Sequence, residues 1–137
     1  MSRYLLDTDW VVDVLNGQEK AIHTVLELAP AGLAISIITY GELYEGAAFA
    51  RDPEPALSGL RNFLKGKAIL PLTQPIMERF AQIRGSLPRS IRQQIGDLDM
   101  LIVATCLNHD LTLLTRNLKD FHKIPKIVHL PLPPAFL

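Results

Sequence analysis

Short apolar runs alternate with longer stretches of helical periodicity along the whole chain. Five runs rich in Leu, Ile and Val predict strands over Tyr4–Leu6, Leu33–Ile37, Ala68–Leu70, Leu111–Leu114 and Lys126–Val128. The intervening stretches predict helices over 9–16, 19–29, 39–50, 55–65, 75–87 and from Asp97 onward. Thr39 is expected to cap the third helix, with Glu42 three residues later as in a capping box.

Alternating short apolar strands and helices predict an α/β fold, in which a parallel sheet is covered by helices on both faces. The length of 137 residues fits one domain with one main core, spanning 1–137. The prolines at 131, 133 and 134 predict a non-helical tail over 131–137.

Composition narrows the class of protein. A hydrophobic fraction of 48% with 20% charged residues is that of a globular chain, and no apolar run approaches the roughly 18 to 20 residues of a membrane span. Asp7 follows the first two leucines so closely that a signal-peptide core is not expected, which favours the cytoplasm. Cys106 is the single cysteine, so it forms neither an intrachain disulfide nor a cysteine zinc cage and is expected to be buried.

Net charge does not by itself favour a nucleic-acid partner, because 14 basic and 14 acidic residues cancel. Basic residues nevertheless gather in two places, Arg84, Arg89 and Arg92 and then Arg116, Lys119, Lys123 and Lys126. These are either two solvated faces or two phosphate-holding patches beside an acidic centre.

Several acidic residues fall near strand and helix ends. Taken singly, each has a structural explanation: Asp7, Asp97 and Asp99 suit helix starts, Glu42 suits a capping box, and Asp120 suits a turn. Taken together, they map to one edge of the predicted sheet, because the carboxyl ends of parallel strands and the amino ends of their helices share that edge. Asn117 falls there too.

Converging carboxylates repel one another unless a proton or a cation shares the site. Hard oxygen ligands without His or Cys select Mg²⁺ or Mn²⁺, which polarise a phosphoryl oxygen and activate water. The residues therefore predict a divalent-metal site for phosphoryl transfer or hydrolysis, without naming the substrate.

Four segments in order resemble the conserved segments of PIN-domain proteins. They are Leu5–Asp9, Ser36–Gly46, Asp99–Ala104 and Leu113–Phe121, and the resemblance extends from residue 3 to about residue 130. Their order and spacing and the chain length are similar to those of VapC-type toxins of bacterial toxin–antitoxin pairs. The resemblance implies a PIN fold, Mg²⁺- or Mn²⁺-dependent endoribonuclease activity on RNA, a VapB-like antitoxin partner and a homodimer.

The resemblance also implies roles for residues. Asp7, Glu42 and Asp99 match the acidic positions of the family, with Asp7 and Asp99 as metal ligands and Glu42 binding metal or orienting water. Thr8 and Thr115 would hydrogen-bond carboxylates or phosphate, and Arg116 would contact RNA phosphate or pair with an acid.

The fourth family position is less regular. Many PIN domains have Asp where this chain has Asn117, whereas VapC-like members often have Asn there and an acid three residues later, here Asp120. Asp120 would complete the site through water or a second ion, and Asn117 would offer only a carbonyl oxygen. Asp97 is an extra acid, expected as a helix cap or a ligand to water.

Three other functions fit parts of the sequence. Asp7-Thr8-Asp9 after a strand suits a haloacid-dehalogenase-type phosphatase, but the later acidic pair at Asp97 and Asp99 has the wrong spacing. A receiver-like module needs an Asp after the third strand, where this chain has Pro71. A non-catalytic PIN domain that binds RNA or a partner is disfavoured by the intact acids.

Partner binding is expected on the helical segment 40–64, which carries apolar residues beside the acids. An antitoxin helix would dock there by its apolar face. Trp10 and Tyr44 are expected to pack in the core or in that groove rather than to stack on bases.

Overall fold

A computed structural model of the chain describes residues 2–121 and 123–124. In this part of the chain, four strands form one parallel sheet in the order β3-β2-β1-β4. The strands are β1 (Tyr4–Leu6), β2 (Leu33–Ser36), β3 (Ala68–Leu70) and β4 (Thr112–Leu114). The predicted parallel α/β architecture is therefore confirmed. The predicted fifth strand at 126–128 and the tail at 131–137 lie outside the described residues.

Helices connect and cover the strands. They are α1 (Thr8–Leu15), α2 (Glu19–Leu28), α3 (Ile37–Ala48), α4 (Pro53–Leu64), α5 (Gln74–Ser86), α6 (Arg89–Ile95), α7 (Asp97–Asn108) and α8 (Leu118–Phe121). A 3₁₀ turn, Ala29–Ala31, follows α2 and contains Pro30. None of the helices in the described ranges is both long and apolar enough to cross a membrane.

Alternate residues of the strands point to opposite faces of the sheet, and each face has its own core. Leu5 and Leu113 pack with α7, with Phe80 of α5 at the border of this cluster. Leu6 and Leu114 pack on the other face with Trp10 of α1 and with side chains of α2, α3 and α4. The sheet is thus covered on both sides, and Trp10 is a core residue with no exposed surface.

The register of the sheet determines which loops meet. β1 pairs with β2 on one side and with β4 on the other, and Leu6 lies opposite Leu114. The residues that follow these two strands, Asp7 and Thr115, are therefore neighbours in space although 108 positions separate them in the chain.

The start of α3 differs from the sequence-based expectation. Ser36, not Thr39, is the N-cap: its backbone is extended and its Oγ accepts a hydrogen bond from Thr39 N at 3.1 Å. The capping box expected between Thr39 and Glu42 is wrong, because β2 leads into the helix three residues earlier than the apolar pattern indicates. Thr39 and Glu42 are left to interact with another element.

Two short helices were not expected from the sequence. The polar stretch 88–96 contains α6, and the segment after β4 contains α8. Neither has a strong apolar repeat of its own, but α6 places Ile95 and α8 places Phe121 in the core beside α7. Tertiary packing stabilises them where local sequence does not.

Cys106 is expected to be chemically inert in the folded protein. It is fully buried, its Sγ donates to Leu111 O at 3.0 Å, and burial raises the pKa of its thiol to about 12. At pH 8 the native protein should not react with a thiol-specific chromogenic reagent on the time scale on which the urea-unfolded protein reacts completely. Rapid reaction of the native protein, with no loss of helical circular dichroism, would contradict this burial.

Candidate active site

Asp7 occupies the junction between β1 and α1 and is 6% exposed. Its Oδ1 accepts a hydrogen bond from Thr8 N at 2.8 Å, which caps α1. Its Oδ2 accepts a hydrogen bond from Thr115 Oγ1 at 2.7 Å. The carboxylate is therefore held in one orientation by two different segments of the chain.

Thr115 is fully buried directly after β4. Its hydroxyl oxygen accepts a hydrogen bond from Asn117 N at 3.0 Å while its hydrogen is donated to Asp7. Because the Asn117 N–H approaches the oxygen, the hydroxyl is oriented toward the carboxylate. Of the two partners expected for Thr115, a carboxylate or a phosphate, the structure shows the carboxylate.

Burial raises the pKa of Asp7 above its ordinary value of 3.8, because water no longer solvates the charged form. The hydrogen bonds from Thr115 and Thr8 act in the opposite direction. The negative charges of Asp9 and Glu42 add to the increase. A cation placed beside Asp7 would offset both the lost hydration and the like-charge repulsion.

Glu42 reaches the same edge of the sheet from α3. Thr8 Oγ1 donates to Glu42 Oε1 at 2.6 Å and lies 3.1 Å from Thr39 Oγ1. When Glu42 is ionised it only accepts, so the single hydroxyl hydrogen of Thr8 belongs to Glu42 and Thr39 supplies the hydrogen between the two hydroxyls. Thr39 is fully buried, and its hydrogen bond to Thr8 was not predicted from the sequence.

The two acids at the start of α7 differ in their surroundings. Asp99 lies half-buried in the first turn. Asp97 is exposed, and its Oδ1 accepts from Arg84 Nε at 2.9 Å. The expectation that Asp97 caps the helix is wrong, because Gly96 holds the N-cap position with a φ of 83°.

Arg116 pairs with Asp13, an acid that was not among the predicted site residues. Its Nε lies 3.1 Å from Asp13 Oδ2, and the side chain of Asp13 is only 19% exposed. Of the two roles expected for Arg116, the structure shows the pairing with an acid. The spacing of Asp9 and Asp13, four residues apart and so on one face of α1, is the signal that would have found Asp13.

The structure brings some predicted site residues together and leaves others apart. Asp7, Thr8, Glu42 and Thr115 form one connected set through hydrogen bonds and charge. Within 2–121 and 123–124, no three side chains of the His, Cys, Asp and Glu types are grouped closely enough to hold a metal ion by themselves. Asp120 lies in α8. Its role and that of Asn117 as metal ligands stay predictions.

Comparison with known proteins defines the family of this fold and site. The model of the PIN domain matches residues 4–127. The chain belongs to the PIN domain family.

Its relatives include a protein named Ribonuclease VapC2 of Haemophilus influenzae, 28% identical over 124 residues, which cover 90% of this chain and 93% of the relative. Another is the tRNA(fMet)-specific endonuclease VapC of Salmonella typhimurium, 28% identical over 127 residues, covering 93% and 96% of the two chains.

A solved structure also shares the fold. DNA-bound VapBC from Salmonella typhimurium contains a chain that matches with a TM-score of 0.86 at 27% identity, covering 95% of this chain and 98% of that one. The resemblance to VapC-type PIN-domain proteins is therefore confirmed, and the relatives support a nuclease. The phosphatase and receiver alternatives are wrong, because the family match covers nearly the whole chain.

Stability should depend on pH through Asp7. Below its ordinary pKa of 3.8 both the folded and the unfolded chain bind the proton. As the pH rises, the unfolded chain releases the proton first. The free energy of unfolding therefore falls by about 1.4 kcal/mol for each unit by which the pKa of Asp7 is raised in the folded state. In chelator, the free energy of unfolding of the wild type minus that of Asp7→Asn should fall as pH rises from about 4.

Thr115→Val sharpens this measurement, because it removes the donor that lowers the pKa of Asp7. In this background the fall should extend to higher pH. A wild-type minus Asp7→Asn difference that stayed flat, or grew with pH, would show that Asp7 is not held in the buried environment described.

Proposed function

We propose that the chain is the toxin of a toxin–antitoxin pair and acts as a Mg²⁺- or Mn²⁺-dependent endoribonuclease in the cytoplasm. The observation that carries the proposal is the buried, oriented carboxylate of Asp7 beside the charges of Asp9 and Glu42, at the carboxyl edge of a PIN-domain sheet. The names of the relatives, ribonuclease and endonuclease, support RNA as the substrate.

The donor chemistry fits Mg²⁺. This ion usually retains several waters and takes one or two carboxylates together with substrate phosphate, rather than a complete cage of protein ligands. Asp7 is accordingly the direct ligand in this proposal, because each of its oxygens makes one hydrogen bond and retains acceptor capacity. Asp99 is the second, and Glu42 and Asp120 complete the shell directly or through water.

When bound, the ion supplies positive charge that polarises a phosphoryl oxygen and lowers the pKa of water. The protein supplies orientation. Thr115 and the Thr8 N–H hold the Asp7 carboxylate, and the hydroxyls of Thr39 and Thr8 hold Glu42. In this proposal Glu42 orients the attacking water and accepts its proton.

Antitoxin binding is proposed at an apolar groove beside the acids. A cavity of about 330 Å³ lies between α1, α3 and α4, and its lining includes Val12, Leu15, Glu42, Gly46 and Gly59. Val12 and Leu15 are 38% and 39% exposed, so the groove presents apolar surface to a partner. The solved neighbours include toxin–antitoxin complexes, which supports a VapB-like helix as occupant.

Because Glu42 lines this groove as well as the acidic edge, an antitoxin bound there would lie against the candidate active site. Tyr44, also on α3, is 44% exposed. Its ring stacks on that of Tyr40, with 6.2 Å between the ring centroids. The homodimer implied by the family resemblance remains part of the proposal.

Loss of either proposed metal ligand should abolish cleavage. Asp7→Asn and Asp99→Asn remove charge that holds the ion, and the loss of about 3 kcal/mol of transition-state stabilisation corresponds to at least about 100-fold in rate. The measurement is cleavage of total cellular RNA by the purified protein in Mg²⁺, with end mapping of the fragments, and with chelator as the reference for no activity.

A matched pair on α3 provides the control. Glu42→Gln should reduce the rate, whereas Glu45→Gln, at an exposed position on the same helix, should not. Cleavage at the wild-type rate by both Asp7→Asn and Asp99→Asn would contradict the site assignment. Absence of Mg²⁺-dependent cleavage by the wild type would contradict the ribonuclease proposal itself.

Filling the groove should block the antitoxin. A Cβ added at Gly46 meets nothing within 4 Å, so Gly46→Leu places a side chain in the groove without disturbing the helix packing. Co-expression with the product of the adjacent reading frame should rescue growth of cells carrying the wild-type toxin, but not of cells carrying Gly46→Leu.

Gly85→Leu on α5 is the control, because its Cβ is equally unobstructed and Gly85 lies outside the groove. Rescue of both variants to the same degree would place the antitoxin on another surface.

A further inference from the structure

Three arginines surround a second cavity, of about 380 Å³, beside the start of α7. Arg84 comes from the end of α5, and Arg89 and Arg92 come from α6. Gln93 of α6 and Gly96 and Asp97, where α7 begins, line the rest of the cavity. Three arginines from two helices therefore line one cavity.

The charges of this arginine pocket do not cancel. Asp97 pairs with Arg84 at 2.9 Å and is the one carboxylate in the lining. Arg89 and Arg92 therefore leave the pocket with an excess of positive charge. Within the described part of the chain, Arg92 Nε is buried and has no hydrogen-bond partner. A buried donor of this kind is unfavourable unless an acceptor reaches it.

The arginine pocket lies at the amino end of α7, the helix that also carries Asp99. In a parallel sheet the amino ends of the connecting helices lie at the carboxyl edge of the strands, where Asp7 follows β1. The arginine pocket and the acids therefore belong to the same edge of the sheet.

We propose that the arginine pocket binds a backbone phosphate of the RNA strand that is cleaved at the acidic edge. The inference rests on the proposed function and adds a substrate subsite to it. Guanidinium groups present paired N–H donors that match phosphate oxygens, and the lining carries three arginines against one carboxylate. Because this contact reads backbone rather than base, it should add affinity without sequence preference.

The test is binding of a short fluorescein-labelled oligouridylate, followed by anisotropy in chelator so that no cleavage occurs. Arg89→Gln and Arg92→Gln should each weaken binding about tenfold, the equivalent of one charge-assisted hydrogen bond. The slope of log K against log salt should become shallower by about 0.7 for one lost phosphate contact on a single strand. Arg79→Gln, an exposed arginine on α5 outside the pocket, is the matched control and should bind like the wild type.

Arg89 is exposed, so its variant tests the proposal even where Arg92→Gln destabilises the fold. Wild-type affinity and salt slope in Arg89→Gln and in folded Arg92→Gln would overturn the inference, as would loss of antitoxin binding with RNA binding intact. Cleavage by Asp7→Asn at the wild-type rate would instead contradict the proposed catalytic site, and leave the binding result standing. The two failures are therefore distinguishable.

Discussion

The hydrogen bond from Thr115 to Asp7 is the contact on which the arrangement of the site depends. It joins the ends of β1 and β4, and it exists because the two strands lie side by side with Leu6 opposite Leu114. Since strand register in a parallel sheet is set by burial of apolar residues on both faces, the core determines the position of the carboxylate. A change in the packing of the core would therefore also displace the site.

The charge of Asp7 is electrostatically unfavourable at this junction between β1 and α1. Asp7 is buried, its pKa is raised chiefly by that burial, and its neighbours Asp9 and Glu42 repel its charge. Hydrogen bonds from Thr8 and Thr115 offset part of this cost but supply no countercharge. A fold that maintains such a carboxylate is suited to binding a cation beside it. This agrees with the membership of the chain in the PIN domain family.

Two surfaces extend from this centre in different directions and have different chemistry. The groove between α1, α3 and α4 is apolar and includes Glu42 at its rim, which suits a helical protein partner. The arginine pocket between α5, α6 and α7 is cationic, which suits a polyanion. Under the proposed function, substrate and antitoxin are recognised by separate sets of residues.

Local sequence was sufficient for the strands at 4–6 and 68–70, because these are short apolar runs, and for the helical periodicity of α5. It was also sufficient to predict that Asp7 and Glu42 lie near each other, because each follows the carboxyl end of a parallel strand. The cap of α3, the helix α6, the chain of hydroxyls through Thr39 and the pairing of Arg116 with Asp13 were decided only by tertiary structure. The cap of α3 depends on where β2 ends in the sheet, and the other three depend on contacts between segments distant in sequence. Residue order carries no measure of the distance between such segments.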